Sequence, residues 1–285
     1  GHAAFFGGGA YAGALFVTYA QTAMELALVL APICAGLAAV IIGWVCLQST
    51  GVYFAMLTLA FGQLLWSLAF QWGDVTGGDD GLVNIWPSAW ASDNSVYYYI
   101  ALVLCVGGIL LLRQAAHAPF GYAMRAARDS ARQAEAMGIN TKSVQWVAFA
   151  FAGTMAGLAG GLFVFSKGSV FPNELETARS FDALIVVFLG GVKTLSGGWV
   201  GGAFFEGVKD VLTRFEYWRL ALGLLIIFVV IVAPEGIVGS LDEQGRRTVG
   251  EGFEQLGVVQ AQQGRARRHR HSLGIRPGTR RARRA

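Results

Sequence analysis

Charge is what this sequence has least of. Asp, Glu, Lys and Arg make up only 14% of its 285 residues, against roughly a quarter in ordinary soluble domains. With 54% hydrophobic residues there is too little polar surface to cover a globule in water, which leaves a polytopic membrane protein. Cysteine is scarce. Cys34, Cys46 and Cys105 each sit inside an apolar run, where they read as small buried hydrophobes and offer no disulfide framework. No G-x-x-x-x-G-K-S/T loop is present, so this chain cradles no ATP phosphates through a P-loop. Metal-spaced Cys/His clusters, a G-x-S-x-G elbow and paired catalytic carboxylates are missing too, which leaves an enzyme reading without residues. The first residues carry no initiator Met, signal peptide or charged segment, and the true N-terminus is expected upstream.

The formal charge of +4 hides an uneven distribution. Nine arginines and no acid fall between Gly264 and Ala285, which leaves −5 on residues 1–263. That low-complexity tail reads as a disordered contact for the inner leaflet rather than for nucleic acid.

What the chain has in quantity is long apolar runs. Five are of spanning length: Ala3–Ala20, Leu26–Leu47, Gly51–Trp72, Val96–Leu112 and Ser143–Phe165. A sixth, Leu220–Ala233, is closed by Pro234. The fifth run carries Gly153, Gly157, Gly160 and Gly161 at three- and four-residue spacing, a surface for close helix packing. In the third run the polar members are Tyr53, Thr58 and Gln63, which either pair with neighbouring helices or line a pathway. The fold class is therefore all-α, a polytopic bundle with about six full spans plus a pair of short half-helices. Residues 1–240 form the membrane domain, and 241–285 a polar, then Arg-rich tail.

The half-helices come from residues 181–213. Phe181–Gly191 and Trp199–Leu212 are each too short to span, and Lys193–Gly198 interrupts them. Only a segment that starts and finishes on one side keeps the parity of the flanking loops. Glu206 and Lys209, three residues apart, either neutralise each other or mark a site, since ionisable groups near a membrane interior are costly.

Two polar segments orient the bundle. Gly121–Ile139, GYAMRAARDSARQAEAMGI, is flanked by Arg113 and Lys142 and reads as one short helix. Its start is set by Pro119 and Gly121 and its end by Gly138. A basic loop of this length is retained in the cytoplasm. It is either a solvated connector or a surface that docks a soluble partner. Gly73–Ser95 carries Asp74, Asp79, Asp80 and Asp93 without a Lys or Arg, and belongs outside. Its TGGDDGL core lacks the ligand spacing and terminal Glu of an EF-hand, so Thr76, Gly77, Gly78, Asp80 and Gly81 read as a tight turn. Lys167–Ser180 is expected to be a second outer loop with balanced charge.

Four stretches carry a resemblance, in order. GHAAFFGGGAY at the start, GVYFAMLTLAFGQ, TGGDDGL and FLGGVKTLSGGWVGGA resemble permeases of branched-chain amino-acid ABC importers, the LivM-like membrane subunits. The run AARDSARQAEAMGIN resembles the cytoplasmic loop by which that family meets its ATPase. Ala131 and Arg132 depart from the acidic or aliphatic pair expected there, and Lys193 replaces a small residue. The resemblance implies ATPase coupling through Gly121, Arg125, Arg128, Asp129, Glu135, Ala136 and Gly138. It also implies pathway or binding-protein contacts at Tyr53, Thr58, Gln63, Thr76, Gly77, Gly78, Asp80, Gly81 and Glu206. Its partners would be a second permease subunit, two ATPase subunits and a periplasmic solute-binding protein, in the bacterial cytoplasmic (inner) membrane and among its lipids. No cofactor, metal or nucleic acid is implied, and ATP is bound by the partner subunits. The alternative is a secondary transporter or channel that needs no ATPase, with Glu206 and Asp210 titrating or binding a cation.

Overall fold

A computed structural model of the chain describes residues 1–191, 196–212 and 223–224. It is a helical membrane protein. Five helices among the described residues are long and apolar enough to cross a bilayer. They are α1 (His2–Ala20), α2 (Met24–Cys46), α3 (Val52–Gln71), α5 (Asn94–His117) and α8 (Thr141–Lys167). Each matches one predicted span to within a few residues. The expected sixth span apart from residues 223–224, the interruption at 192–195 and the tail lie outside the described residues. Short elements join them: α4 (Gly73–Thr76), α6 (Pro119–Asp129) and α7 (Ala131–Ala136).

Small residues hold α1, α2 and α8 together. On α2, Ala27, Ala31, Ala35 and Ala39 recur every fourth residue and are all buried. They meet a matching ladder on α8. A Cβ added at Gly153 would lie 2.3 Å from that of Ala39, one at Gly157 2.3 Å from that of Ala35, and one at Gly161 3.0 Å from that of Ala31. The order of these pairs makes α2 and α8 antiparallel. In hydrocarbon, lipid tails are as apolar as the helices, so close van der Waals packing drives association, and only small residues permit it. On its next face α8 meets α1, where a Cβ at Gly160 would stand 1.9 Å from the Phe6 carbonyl oxygen. The predicted glycine surface is thus two surfaces on one helix.

The two polar segments lie at opposite ends of α5, as their charges predict. At the acidic end a feature appears that no periodicity signalled. Strand β1 (Leu82–Val83) pairs antiparallel with β2 (Ser169–Val170), in the register Leu82 with Val170 and Val83 with Ser169. Two-residue strands leave no pattern in a sequence. The pairing joins the loops 73–93 and 168–176, which fits their predicted placement on one side.

Lys167–Ser180 is not a simple outer loop. After β2 the chain turns through Pro172–Leu175 and runs back beside α1, where Leu175 lies against Gly7 and the Ala3 amide donates to Ser180 Oγ at 3.0 Å. Gly7 stands 13 residues from the end of α1, a depth of about 20 Å at the helical rise. Val170, Pro172 and Leu175 are buried there, and Glu174 Oε1 accepts a 2.9 Å hydrogen bond from Arg179 Nη2. Apolar burial drives the segment inward, and the ion pair offsets the cost of the one carboxylate carried with it.

Residues 1–184 form one compact unit and 185–285 a second. In the first, α9 (Thr177–Gly190) begins; its last residues and α10 (Gly197–Leu212) belong to the second. There the chain turns back on itself. A Cβ at Gly190 would fall 1.7 Å from the Gly197 carbonyl oxygen, and one at Gly201 2.2 Å from that of Val186. Two short antiparallel helices, not one continuous span, occupy this region.

Candidate functional site

The basic segment is built at the junction of α5 and α8. It is an elbow, not the single predicted helix. Pro119 occupies the first turn of α6, where its missing N–H leaves nothing unsatisfied. The break falls at Ser130, whose backbone is extended (φ −158°, ψ 101°). Its N–H closes α6 on the Ala126 carbonyl at 3.0 Å, its own carbonyl receives the Ala134 amide at 3.0 Å, and its hydroxyl accepts the Gln133 amide at 3.4 Å. Serine is a better N-cap than interior residue, and the capping bond outweighs the helix propensity of the flanking alanines. Beside the break, Asp129 accepts two hydrogen bonds from Arg128, at 2.8 and 3.0 Å.

The elbow ends as predicted at Gly138, with φ +84°. The Gly138 amide donates to the Glu135 carbonyl at 2.9 Å and the Ile139 amide to that of Ala134 at 3.0 Å, the bond pair of a Schellman motif. Among the described residues, nothing lies within 4 Å of where a Gly138 side chain would start.

Each arm is tied to a span. A Cβ on Gly121 would stand 2.2 Å from the Ala116 carbonyl oxygen, so this glycine permits α6 to press on the end of α5 rather than starting a helix. Arg125 donates to that same carbonyl at 3.0 Å, which caps α5, and lies 5.4 Å from the centroid of the Tyr122 ring. On the other arm, Glu135 Oε1 accepts a 2.7 Å bond from Thr141 Oγ1, and Thr141 is the buried first residue of α8. Asn140 caps α8 through the Ser143 amide at 3.1 Å. Among the elbow residues Gly121, Ala127 and Ala134 are buried. Arg128, Asp129, Arg132, Gln133, Ala136 and Met137 face outward. The arrangement is a presented surface on a fixed base.

The other predicted site residues are not gathered here. Thr76, Gly77, Gly78 and Gly81 lie at the acidic end and serve packing. Thr76 Oγ1 is 2.6 Å from the Ala69 carbonyl and 2.8 Å from that of Trp72. Gly81 has φ +64°, and its Cβ would stand 2.3 Å from the Val170 carbonyl oxygen. Asp80 is exposed. On α3, Thr58 bonds back to the Ala55 carbonyl at 2.8 Å. Tyr53 and Gln63 are exposed, so of the two readings, pairing with neighbouring helices is not seen among the described residues. Gln63 begins a stripe at four-residue spacing with Ser67 and Gln71, the last donating to Ser67 Oγ at 2.6 Å. Glu206, in the second unit, is exposed and lies 3.8 Å from Lys209, close enough for the first of the two readings, mutual neutralisation.

Sequence reading missed Glu174 and Arg179. Glu174 is buried, and among the described residues neither its Oε2 nor the buried Tyr11 hydroxyl on α1 has a hydrogen-bond partner. The available signal was a Glu and an Arg separated only by a short turn, with Phe171, Leu175 and Phe181 around them.

A family model described as branched-chain amino acid transport system / permease component matches residues 1–233. The chain belongs to this family. The LivM permease protein of the high-affinity branched-chain amino acid transport system of Escherichia coli (strain K12) is 26% identical over 266 residues, covering 84% of this chain and 63% of the relative. A probable branched-chain amino acid permease, LivH, of Methanocaldococcus jannaschii is 29% identical over half of this chain and 46% of its own length. The autoinducer 2 import permease LsrC of Photorhabdus laumondii is 28% identical over 67% of this chain and 58% of its own. The chain thus spans about three-fifths of the length of the LivM relative. No solved structure matches it. Family membership explains why four separated stretches recur in order.

Proposed function

We propose that the chain is a membrane permease subunit of an ATP-driven importer for branched-chain or related amino acids, and forms part of the translocation pathway. The observation that carries this reading is the α6–α7 elbow: an outward-facing surface fixed to α5 by Gly121 and Arg125 and to α8 by Glu135. A connector with no partner has no use for a base so firmly held. The elbow lies in the cytoplasm of a bacterial inner membrane, and the acidic end faces outward. Six full spans and the half-helix pair make up residues 1–240, with 241–285 a cytoplasmic tail.

The mechanism follows from the connections. Two ATPase subunits bind ATP, and one of them seats against the elbow through Arg128, Asp129, Ala136 and the groups beside Gly138. Their closure displaces the elbow, and Thr141 passes the displacement to α8. Because α8 meets α1 and α2 through bare glycines, it slides as a smooth rod rather than as interlocked knobs. A second permease subunit completes the pathway against the face of α3 that carries Tyr53, Gln63, Ser67 and Gln71, where amides in lipid would otherwise lack partners. A periplasmic solute-binding protein delivers solute to the acidic end, where Asp80 is accessible. The chain binds no cofactor of its own.

Reconstitution tests this. Proteoliposomes with both permeases, the ATPases and the binding protein are expected to take up leucine only with internal ATP, and to continue when ionophores collapse the ion gradients. Uptake by the permeases alone, driven by an ion gradient, would replace this reading with that of a secondary transporter.

A further inference from the structure

A cleft of about 230 Å³ opens at the basic end, between the end of α2 and the start of α8, lined by Trp44, Leu47, Gln48, Lys142, Ser143 and Trp146. It belongs neither to the elbow surface nor to the polar face of α3. We propose that it holds the phosphate headgroup of an anionic phospholipid, whose acyl chain lies along α2.

Three features fit that occupant together. The first is charge. Lys142 is exposed at the mouth of the cleft and makes no ion pair among the described residues, and Glu135 is engaged by Thr141 instead. Ser143 adds an exposed hydroxyl donor beside it, and the Gln48 amide lines the opposite wall. The second is the walls. Trp146 is fixed by its indole N–H bond to the Val40 carbonyl at 2.9 Å, and Trp44 stands open to solvent or lipid. Paired indoles at the end of two spanning helices place the cleft at headgroup level, where tryptophan concentrates.

The third feature is what continues from the cleft. Leu26, Val29, Ile33, Leu37, Ile41 and Trp44 form one exposed ridge down α2, opposite its buried alanines and without a polar atom in its side chains except the Trp44 indole. A soluble anion has no use for such a ridge, and a partner helix seated there would leave the lysine uncompensated. A phospholipid satisfies both at once, with phosphate on Lys142 and acyl chain on the ridge. The cleft adjoins Thr141, so the bound lipid would brace the joint between elbow and α8.

The proposal requires only that the chain is embedded in a membrane, so it stands or falls separately from ATP-driven import. Native mass spectrometry of the purified full chain, titrated with phosphatidylglycerol and phosphatidylcholine of matched acyl chains, tests it. Wild type should prefer phosphatidylglycerol. Lys142→Gln should lower that affinity about fivefold, as roughly 1 kcal/mol per basic residue at an anionic surface implies, and leave phosphatidylcholine unchanged. Lys142→Arg should keep the preference, and Trp44→Ala should weaken both lipids. Excess inorganic phosphate should displace nothing. The proposal is overturned if Lys142→Gln keeps the wild-type preference, if Lys167→Gln at the other end removes it equally, or if inorganic phosphate competes the lipid away.

Discussion

Left-handed glycines at the two ends of this bundle, Gly77 and Gly81 at one and Gly138 at the other, meet opposite surroundings. At the acidic end Gly77 and Gly81 have positive φ, and a Cβ on either would strike backbone oxygen at 2.1 and 2.3 Å. At the basic end Gly138 also has positive φ, yet its missing side chain points into open space. The first glycines are needed by the fold's own packing. The second is needed only by its backbone, and leaves room for something outside the chain. Both ends carry a stretch that resembles a family motif, the basic one with departures at Ala131 and Arg132. Their surroundings separate a motif that builds the protein from one that presents it.

Substitutions test this contrast. Gly81→Val should have the largest effect. The left-handed backbone penalises it by roughly 1–2 kcal/mol, and the clash with the Val170 carbonyl adds about 1–3 kcal/mol. A fall in the thermal midpoint of the purified chain, with loss of the joint between β1 and β2, is expected; an unchanged midpoint would remove the distinction between the ends.

Glu174→Ala, on the segment that descends from the acidic end, should come next. Arg179 is 41% exposed and regains some water, so the loss is discounted from that of a fully buried pair to about 1–2 kcal/mol. Partnering Arg179→Ala in a double-mutant cycle should cost less than the sum of the two singles. Strict additivity would mean that the ion pair contributes nothing.

Gly138→Val should cost about 1–2 kcal/mol through φ alone, because no contact opposes the side chain. Its signature is functional. Solute-stimulated ATP hydrolysis in the reconstituted complex should fall, while the spans stay inserted and the binding protein still takes up solute. Normal hydrolysis would make the elbow a mere connector.

Arg128→Ala should move stability least, by less than about 1 kcal/mol, since the Arg128–Asp129 pair is exposed on both sides. If the pair is presented to an ATPase, assembly should weaken all the same. A variant indistinguishable from wild type in assembly would confine docking to α7.

The sequence by itself determined the bundle: five apolar runs became five helices, and opposite charges marked opposite ends of α5. Length and hydropathy suffice for that, because a helix in hydrocarbon satisfies its own backbone. Gly138 was legible for the same reason, its conformation being local. Three things only the tertiary structure decided. The break at Ser130 depends on a capping bond competing with alanine-rich propensity, a balance between terms of similar size. The pairing of Leu82 with Val170 joins residues far apart in the chain, and two-residue strands have no period. The descent of Glu174 beside α1 followed from the burial of Val170, Pro172 and Leu175, and no rule of loop charge anticipates a carboxylate carried inward with its own arginine. Local chemistry repeats along a chain and can be read there; contacts between distant residues exist only once the chain has folded.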